Sequence, residues 1–141
     1  MTVVVDASIA VKWVVPEVHA LEASILRQRW LDDDELLIAP PPFKPEVTNA
    51  LFQKVRRSEI AQELARAALG IIVSTILIRE TPDLYDRGVS IACELGVTAT
   101  YDSLYLTLAE AEGCEFWTAD RRFVNSVGKR YPYVRWVGEV G

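Results

Sequence analysis

The chain has 141 residues, half of them apolar, 25% charged and 9% aromatic, with 15 Lys+Arg against 20 Asp+Glu and a formal charge of -5. That length predicts one domain over residues 1–141, and the apolar fraction excludes a disordered chain. The acid excess speaks against a basic nucleic-acid-binding patch.

The opening MTVVVDASIAVKWVV is broken by Asp6 and Lys12 and lacks the basic start and cleavage site of a secretory leader. The longest uncharged stretch, residues 67–78, is too short for a membrane helix, which needs about 20 residues. Cys93 and Cys114 are the only cysteines and form no CxxC, which predicts free, core-type thiols in a reducing compartment. The expected setting is a cytoplasmic protein without membrane association.

In chain order, Val3-Val4-Val5 is a β-branched run ending at Asp6, as in a buried strand. A helix over residues 20–31 follows, with Leu21, Ile25 and Leu26 at helical spacing, then a strand at Leu36-Leu37-Ile38. Residues 46–57 predict a helix with Val47, Ala50, Leu51 and Val55 on one face. Residues 58–72 predict another, capped by Ser58 and packed through Ile60, Leu64, Ala67 and Ala68. Ile76-Leu77-Ile78 is a weaker strand. Pro82 starts a helix that Gly96 stops, and residues 103–111 form the next. A strand at residues 115–118, a short helix at 121–127 and a last strand at 133–137 close the chain. This alternation implies an α/β fold with a mostly parallel sheet covered on both faces, whose ligands bind beyond the carboxyl ends of the strands.

Acids stand where that rule places chemistry. Asp6 follows the first strand and Asp120 follows FWTA at the end of the fourth. Either could simply cap a helix. Asp102 opens YDSLYLTLAEA, a helix apolar on nearly every side, so a carboxylate there needs a partner. Glu46 and Asn49 lie three apart, on one side of a helix and bordering its core stripe, although a first-turn Glu can also be merely solvated. If Asp6, Glu46, Asp102 and Asp120 converge, they make a hard oxygen site suited to Mg²⁺ or Mn²⁺, able to assist in-line displacement at a phosphate.

These residues, in VVVDASIAVKW, PEVTNAL, TATYDSLYLTLAE and FWTADRRFV, occur in the order found in PIN-domain nucleases. The chain resembles that family, and within it the VapC-type toxins of toxin–antitoxin pairs, from the first strand to the closing YVRWV. The resemblance implies a three-layer α/β/α sandwich and Mg²⁺- or Mn²⁺-dependent cleavage of single-stranded RNA. Asp6, Glu46, Asp102 and Asp120 would form the metal-binding catalytic cluster. Ser8 and Thr118 match small hydroxylic positions beside two of the acids, and Asn49 matches a polar position one turn after the glutamate. The resemblance also implies a homodimer and a small antitoxin partner. PPPFKPEV ahead of Glu46 is a departure that stiffens the start of that helix.

Other features carry less chemistry. His19 is the only histidine and is expected to face solvent, which leaves little for a Ser-His-Asp or Cys-His apparatus. Asp32-Asp33-Asp34-Glu35 reads as a solvated turn, and neither a phosphate loop nor a calcium loop is present. Arg121 and Arg122, next to Asp120, are candidate RNA contacts, whereas the basic end of the 46–57 helix is explained equally well by the helix dipole. Trp13, Trp30, Tyr101 and Tyr105 could stack on bases but are better read as packing.

Two other functions are possible: a PIN-fold module that binds RNA or protein without cutting, and a haloacid-dehalogenase-type phosphatase. The phosphatase requires a second Asp two residues after the first, where this chain has Ser8. Removing the four candidate acids from the 20 leaves 16 against 15 bases, a remainder of -1. Most of the charge excess would then be a cation site rather than a barrier to RNA.

Overall fold

A computed structural model describes residues 1–140. The elements run β1 (Thr2–Val5), α1 (Ala7–Lys12), α2 (Ala20–Asp32), β2 (Leu36–Ala39), α3 (Phe43–Arg56), α4 (Gln62–Thr75) and β3 (Leu77–Ile78). They continue with α5 (Leu84–Leu95), α6 (Tyr101–Glu112), β4 (Phe116–Thr118), α7 (Arg121–Val127), β5 (Val134–Trp136) and a 3-10 turn at Val137–Glu139.

The strands form one five-stranded sheet in the order β3-β2-β1-β4-β5, and every pair is parallel. Val3, Val4 and Val5 are all buried, so both faces of β1 are covered by helices. The chain adds β2 and β3 on one side of β1, then returns to lay β4 and β5 on the other. Strand order therefore reverses between β1 and β4, and that switch point opens a crevice at their carboxyl ends.

The helices differ from expectation in instructive ways. Helix α1 starts immediately after Asp6 and was hidden in an apolar run that reads equally well as strand. Helix α3 starts at Phe43, ahead of Glu46, because Pro45 falls in the first turn, where a missing amide leaves no bond unmade. Helix α4 has Ala61, not Ser58, at its N-cap position and no side-chain cap; Ser58 has φ +61° in the preceding loop. Its buried face is Ala65, Ala68 and Ile72, while Leu64 is exposed. In α2 the core face is Ala23, Leu26 and Trp30, with Leu21 and Ile25 outside.

Helix α6 matches its reading most closely: every residue from Ser103 to Ala109 is buried. It packs on α5 at Gly88, where an added Cβ would lie 2.7 Å from Leu104 Cδ2. Gly96 stops α5 in the left-handed conformation, φ +65°. Both cysteines are free; Cys93 is exposed rather than core, and Cys114 is partly buried. Among the described residues, no helix is long and apolar enough to cross a membrane.

Candidate metal centre

Asp6 is the residue following β1 and occupies the N-cap position of α1 in extended backbone, φ -75° and ψ 151°. Its carbonyl accepts from the Ile9 and Ala10 amides, but its side chain makes no capping bond. The carboxylate turns instead into the crevice between β1 and β4. There Ser8 Oγ and Thr118 Oγ1 both donate to Oδ2, each at 2.8 Å. Ser8 Oγ in turn accepts from the Ala119 amide at 3.1 Å, and Thr118 Oγ1 from the Asp120 amide at 3.1 Å. Two hydroxyls thus lock the end of β4 to the end of β1 through one carboxylate oxygen. Burial nevertheless pushes the Asp6 carboxyl above the usual carboxylate range, with nearby Asp120 adding to the effect and the hydroxyls opposing it.

Glu46 sits in the first turn of α3, half-buried, with Oε1 accepting from Tyr105 Oη at 2.9 Å. Burial, with the charges of Asp6 and Asp102 behind it, pushes its pKa up to about 7. Asp102 is the second residue of α6 and lies on the exposed rim, not near the interior as its place at the head of a buried helix suggested, because α6 begins at Tyr101, two residues before the predicted start, and its buried stretch starts only at Ser103. Desolvation by the crevice wall, then Asp6 and Asp120, still push Asp102 up to about 6.

Asp120 is exposed and caps α7, as one reading of its position expected: Oδ1 accepts from the Phe123 amide at 3.0 Å. It also bears on Asp6 and Asp102. The four acids are therefore within electrostatic reach of one another, Asp6 and Asp102 linking Glu46 to Asp120.

The candidate neighbours divide. Ser8 and Thr118 touch Asp6, whereas Asn49 is exposed and accepts from Gln53 at 3.5 Å instead of facing an acid. Arg121 and Arg122 are both exposed. The Arg121 guanidinium stands 4.7 Å from the centre of the Trp136 ring, and His19 meets the same ring edge-on at 5.4 Å. His19 is therefore only partly solvated, its other side resting against Trp136. Trp30 and Tyr105 are buried and Tyr101 is exposed.

Tyr105 is the residue whose role the sequence did not reveal. Its signal was there: a hydroxyl in the middle of an all-apolar buried helix must find a partner. Burial and the neighbouring acids push its pKa far upward, so it stays protonated and donates.

Among the described residues, no three of these acids stand close enough to close on a single ion. The donor set nevertheless fits a hard divalent cation. It consists only of oxygen, and burial, reinforced by the neighbouring acids, raises the pKa values of Asp6, Glu46 and Asp102.

The family model that matches is the PIN domain, over residues 3–128. Among solved structures, PAE2754 from Pyrobaculum aerophilum superposes with a TM-score of 0.67 at 26% identity, covering 89% of this chain and 84% of that one. VapBC2 from Rickettsia felis, solved bound to a DNA fragment from its promoter, superposes with a TM-score of 0.67 at 17% identity, covering 96% and 97%. No curated protein matches the sequence significantly. With an all-parallel sheet flanked by helices and a family match over most of its length, the chain belongs to the PIN domain family, whose members are generally nucleases.

Proposed function

We propose that the chain acts as a single PIN unit and is an endoribonuclease that hydrolyses phosphodiester bonds of single-stranded RNA with Mg²⁺ or Mn²⁺. Asp6, Glu46, Asp102 and Asp120 hold the cation. The observation that carries this reading is the Asp6 carboxylate: buried at the switch point of the sheet, released from capping, and fixed by two hydroxyls among other acids.

When bound, a divalent cation supplies Lewis acidity to the phosphate, its attacking water and its leaving oxygen. The chain's own residues do the rest. Ser8 and Thr118 fix the rotation of the Asp6 carboxylate, as hydrogen-bond donors behind metal ligands commonly do. Glu46 approaches from α3 and Asp102 from α6, so the acids come from separate elements that meet only in the folded crevice. Asp120 bends its backbone into α7 and thereby sets Arg121 and Arg122 beside the crevice, where they meet phosphates flanking the scissile bond.

The motif resemblance to VapC-type toxins, together with a fold shared with Rickettsia felis VapBC2, supports an antitoxin partner, and on that resemblance we read the chain as a cytoplasmic, homodimeric toxin restrained by a small antitoxin. The test is cleavage of end-labelled single-stranded RNA. Cutting that requires Mg²⁺ or Mn²⁺, stops with chelator and is lost in Asp6→Asn supports the reading; metal-independent cutting, or none with any divalent ion, removes it. A binding module that does not cut would retain RNA without releasing product.

A further inference from the structure

We propose that Tyr105 is a positioning residue for Glu46, its hydroxyl holding one carboxylate oxygen so that the side chain presents a fixed face to the acidic centre. This rests on the reading of Glu46 as a cation ligand. Tyr105 is fully buried in the middle of α6, and its ring stacks on Phe116 of β4 with centres 5.2 Å apart and planes 17° apart. A ring clamped in this way has little freedom at its tip. The hydroxyl donates to Glu46 Oε1 at 2.9 Å, across 59 positions of sequence. Tyr105 thus ties α6, packed on β4, to the one acid that α3 supplies.

Glu46 needs such a restraint more than Asp6 or Asp120 does. Asp6 has two hydroxyl donors and Asp120 holds a backbone amide, whereas Glu46 reaches in on a longer side chain with one more rotatable bond. Without Tyr105 it would be free to swing away from Asp6 and Asp102, which repel it. A cation would then have to overcome that repulsion and also order the side chain. Donors behind metal ligands typically change metal affinity about 10-fold to 100-fold when removed.

The experiment titrates Mn²⁺ into wild type, Tyr105→Phe, Glu46→Ala and the double variant, reading free Mn²⁺ by electron paramagnetic resonance without substrate. Tyr105→Phe keeps the stacked ring, and circular dichroism and thermal unfolding verify the fold. The proposal expects Tyr105→Phe to weaken Mn²⁺ binding about 10-fold. In the Glu46→Ala background the same change should have an effect within about twofold. Replacing Tyr105 by 4-aminophenylalanine, a weaker donor of the same shape, should give an intermediate affinity and keeps the test available if the phenylalanine variant does not fold. If Tyr105→Phe lowers the melting temperature but leaves Mn²⁺ affinity unchanged while Glu46→Ala weakens it, Tyr105 is only structural and the proposal fails alone. If Glu46→Ala leaves Mn²⁺ affinity unchanged, Glu46 is no ligand and both readings fail.

Discussion

Thr118 and Asp6 lie 112 positions apart in the chain and are joined by one hydrogen bond, Thr118 Oγ1 donating to Asp6 Oδ2 at 2.8 Å. Because Thr118 Oγ1 also accepts from the Asp120 amide, this hydroxyl couples the acid after β1 to the acid after β4. Thr118 is buried, as is Asp6, so the hydroxyl's bond to the carboxylate is made away from solvent.

Thr118→Val keeps the shape and deletes the hydroxyl. It should destabilise the protein by about 2 kcal/mol, the usual effect of removing a hydrogen bond to a charged group, and weaken Mn²⁺ binding about 10-fold. Thr118→Ser should preserve both. Chemical denaturation and calorimetric Mn²⁺ titration measure the two effects, and a valine variant with wild-type Mn²⁺ affinity would refute the coupling.

Glu46→Gln and Asp102→Asn each remove a charge from a repulsive group. In metal-free protein at about pH 8 each should stabilise the fold, by about 1 kcal/mol for the half-buried Glu46 and less for the rim residue Asp102. For a chain of this size 1 kcal/mol is a rise of about 2–4 °C in melting temperature. The same variants should lose divalent-dependent cleavage, the usual opposition between activity and stability at a strained site. A lower melting temperature in both would mean that the acids are not repelling one another.

The raised carboxyls set a pH dependence opposite to that of ion-paired acids. Glu46, near 7, and Asp102, near 6, bind protons more tightly in the folded protein than in the unfolded chain. Their contribution is fully present below the ordinary carboxylate values, about 4, and is lost as pH rises through 6 and 7. Metal-free melting temperature should therefore fall from about pH 5 to pH 8. Glu139, held low by Arg135, acts in the other sense and only below that window. Mn²⁺ should raise the melting temperature more at about pH 8 than at pH 5, since cation and protons compete for the same oxygens. Differential scanning calorimetry with and without Mn²⁺ decides it; an equal rise at both pH values would contradict the competition.

Arg121 and Arg122 differ in how they are held, the first being stacked on Trp136 and the second exposed. Replacing both with Gln should weaken binding of single-stranded RNA and flatten its log–log salt slope by about one to one and a half, as expected for two lost phosphate contacts. Trp136→Leu should reproduce part of the loss by releasing Arg121. Filter binding across a salt series measures it, and an unchanged slope would place RNA elsewhere.

Much of this was legible in the residues. Val3-Val4-Val5 announces a fully buried strand, and strands alternating with helices force a parallel sheet whose carboxyl ends carry Asp6 and Asp120. Helix α6 was legible because the only polar atoms on the side chains from Leu104 to Ala109 are two hydroxyls, that of Thr107, which returns to the Ser103 carbonyl, and that of Tyr105, at the tip of an otherwise apolar ring. What escaped depended on tertiary contact. Ser58 looks like a cap, but the chain needs it in a left-handed turn before α4. Asn49 has the right spacing from Glu46, yet the outer face of α3 carries it to Gln53. Tyr105 reads as core until the fold brings α3 to its hydroxyl. Spacing specifies which residues share a helix face; which acid a hydroxyl meets is decided by the packing of separate helices.

The most direct test compares wild type with Asp6→Asn on an end-labelled single-stranded RNA, in Mn²⁺, in Mg²⁺ and in chelator, with unfolding curves run in parallel. The prediction is cleavage by wild type only with divalent ion, and loss of that cleavage in a variant that remains folded. Wild-type cleavage by folded Asp6→Asn, or undiminished cleavage by wild type in chelator, would contradict a cation-dependent acidic centre at the β1–β4 crevice.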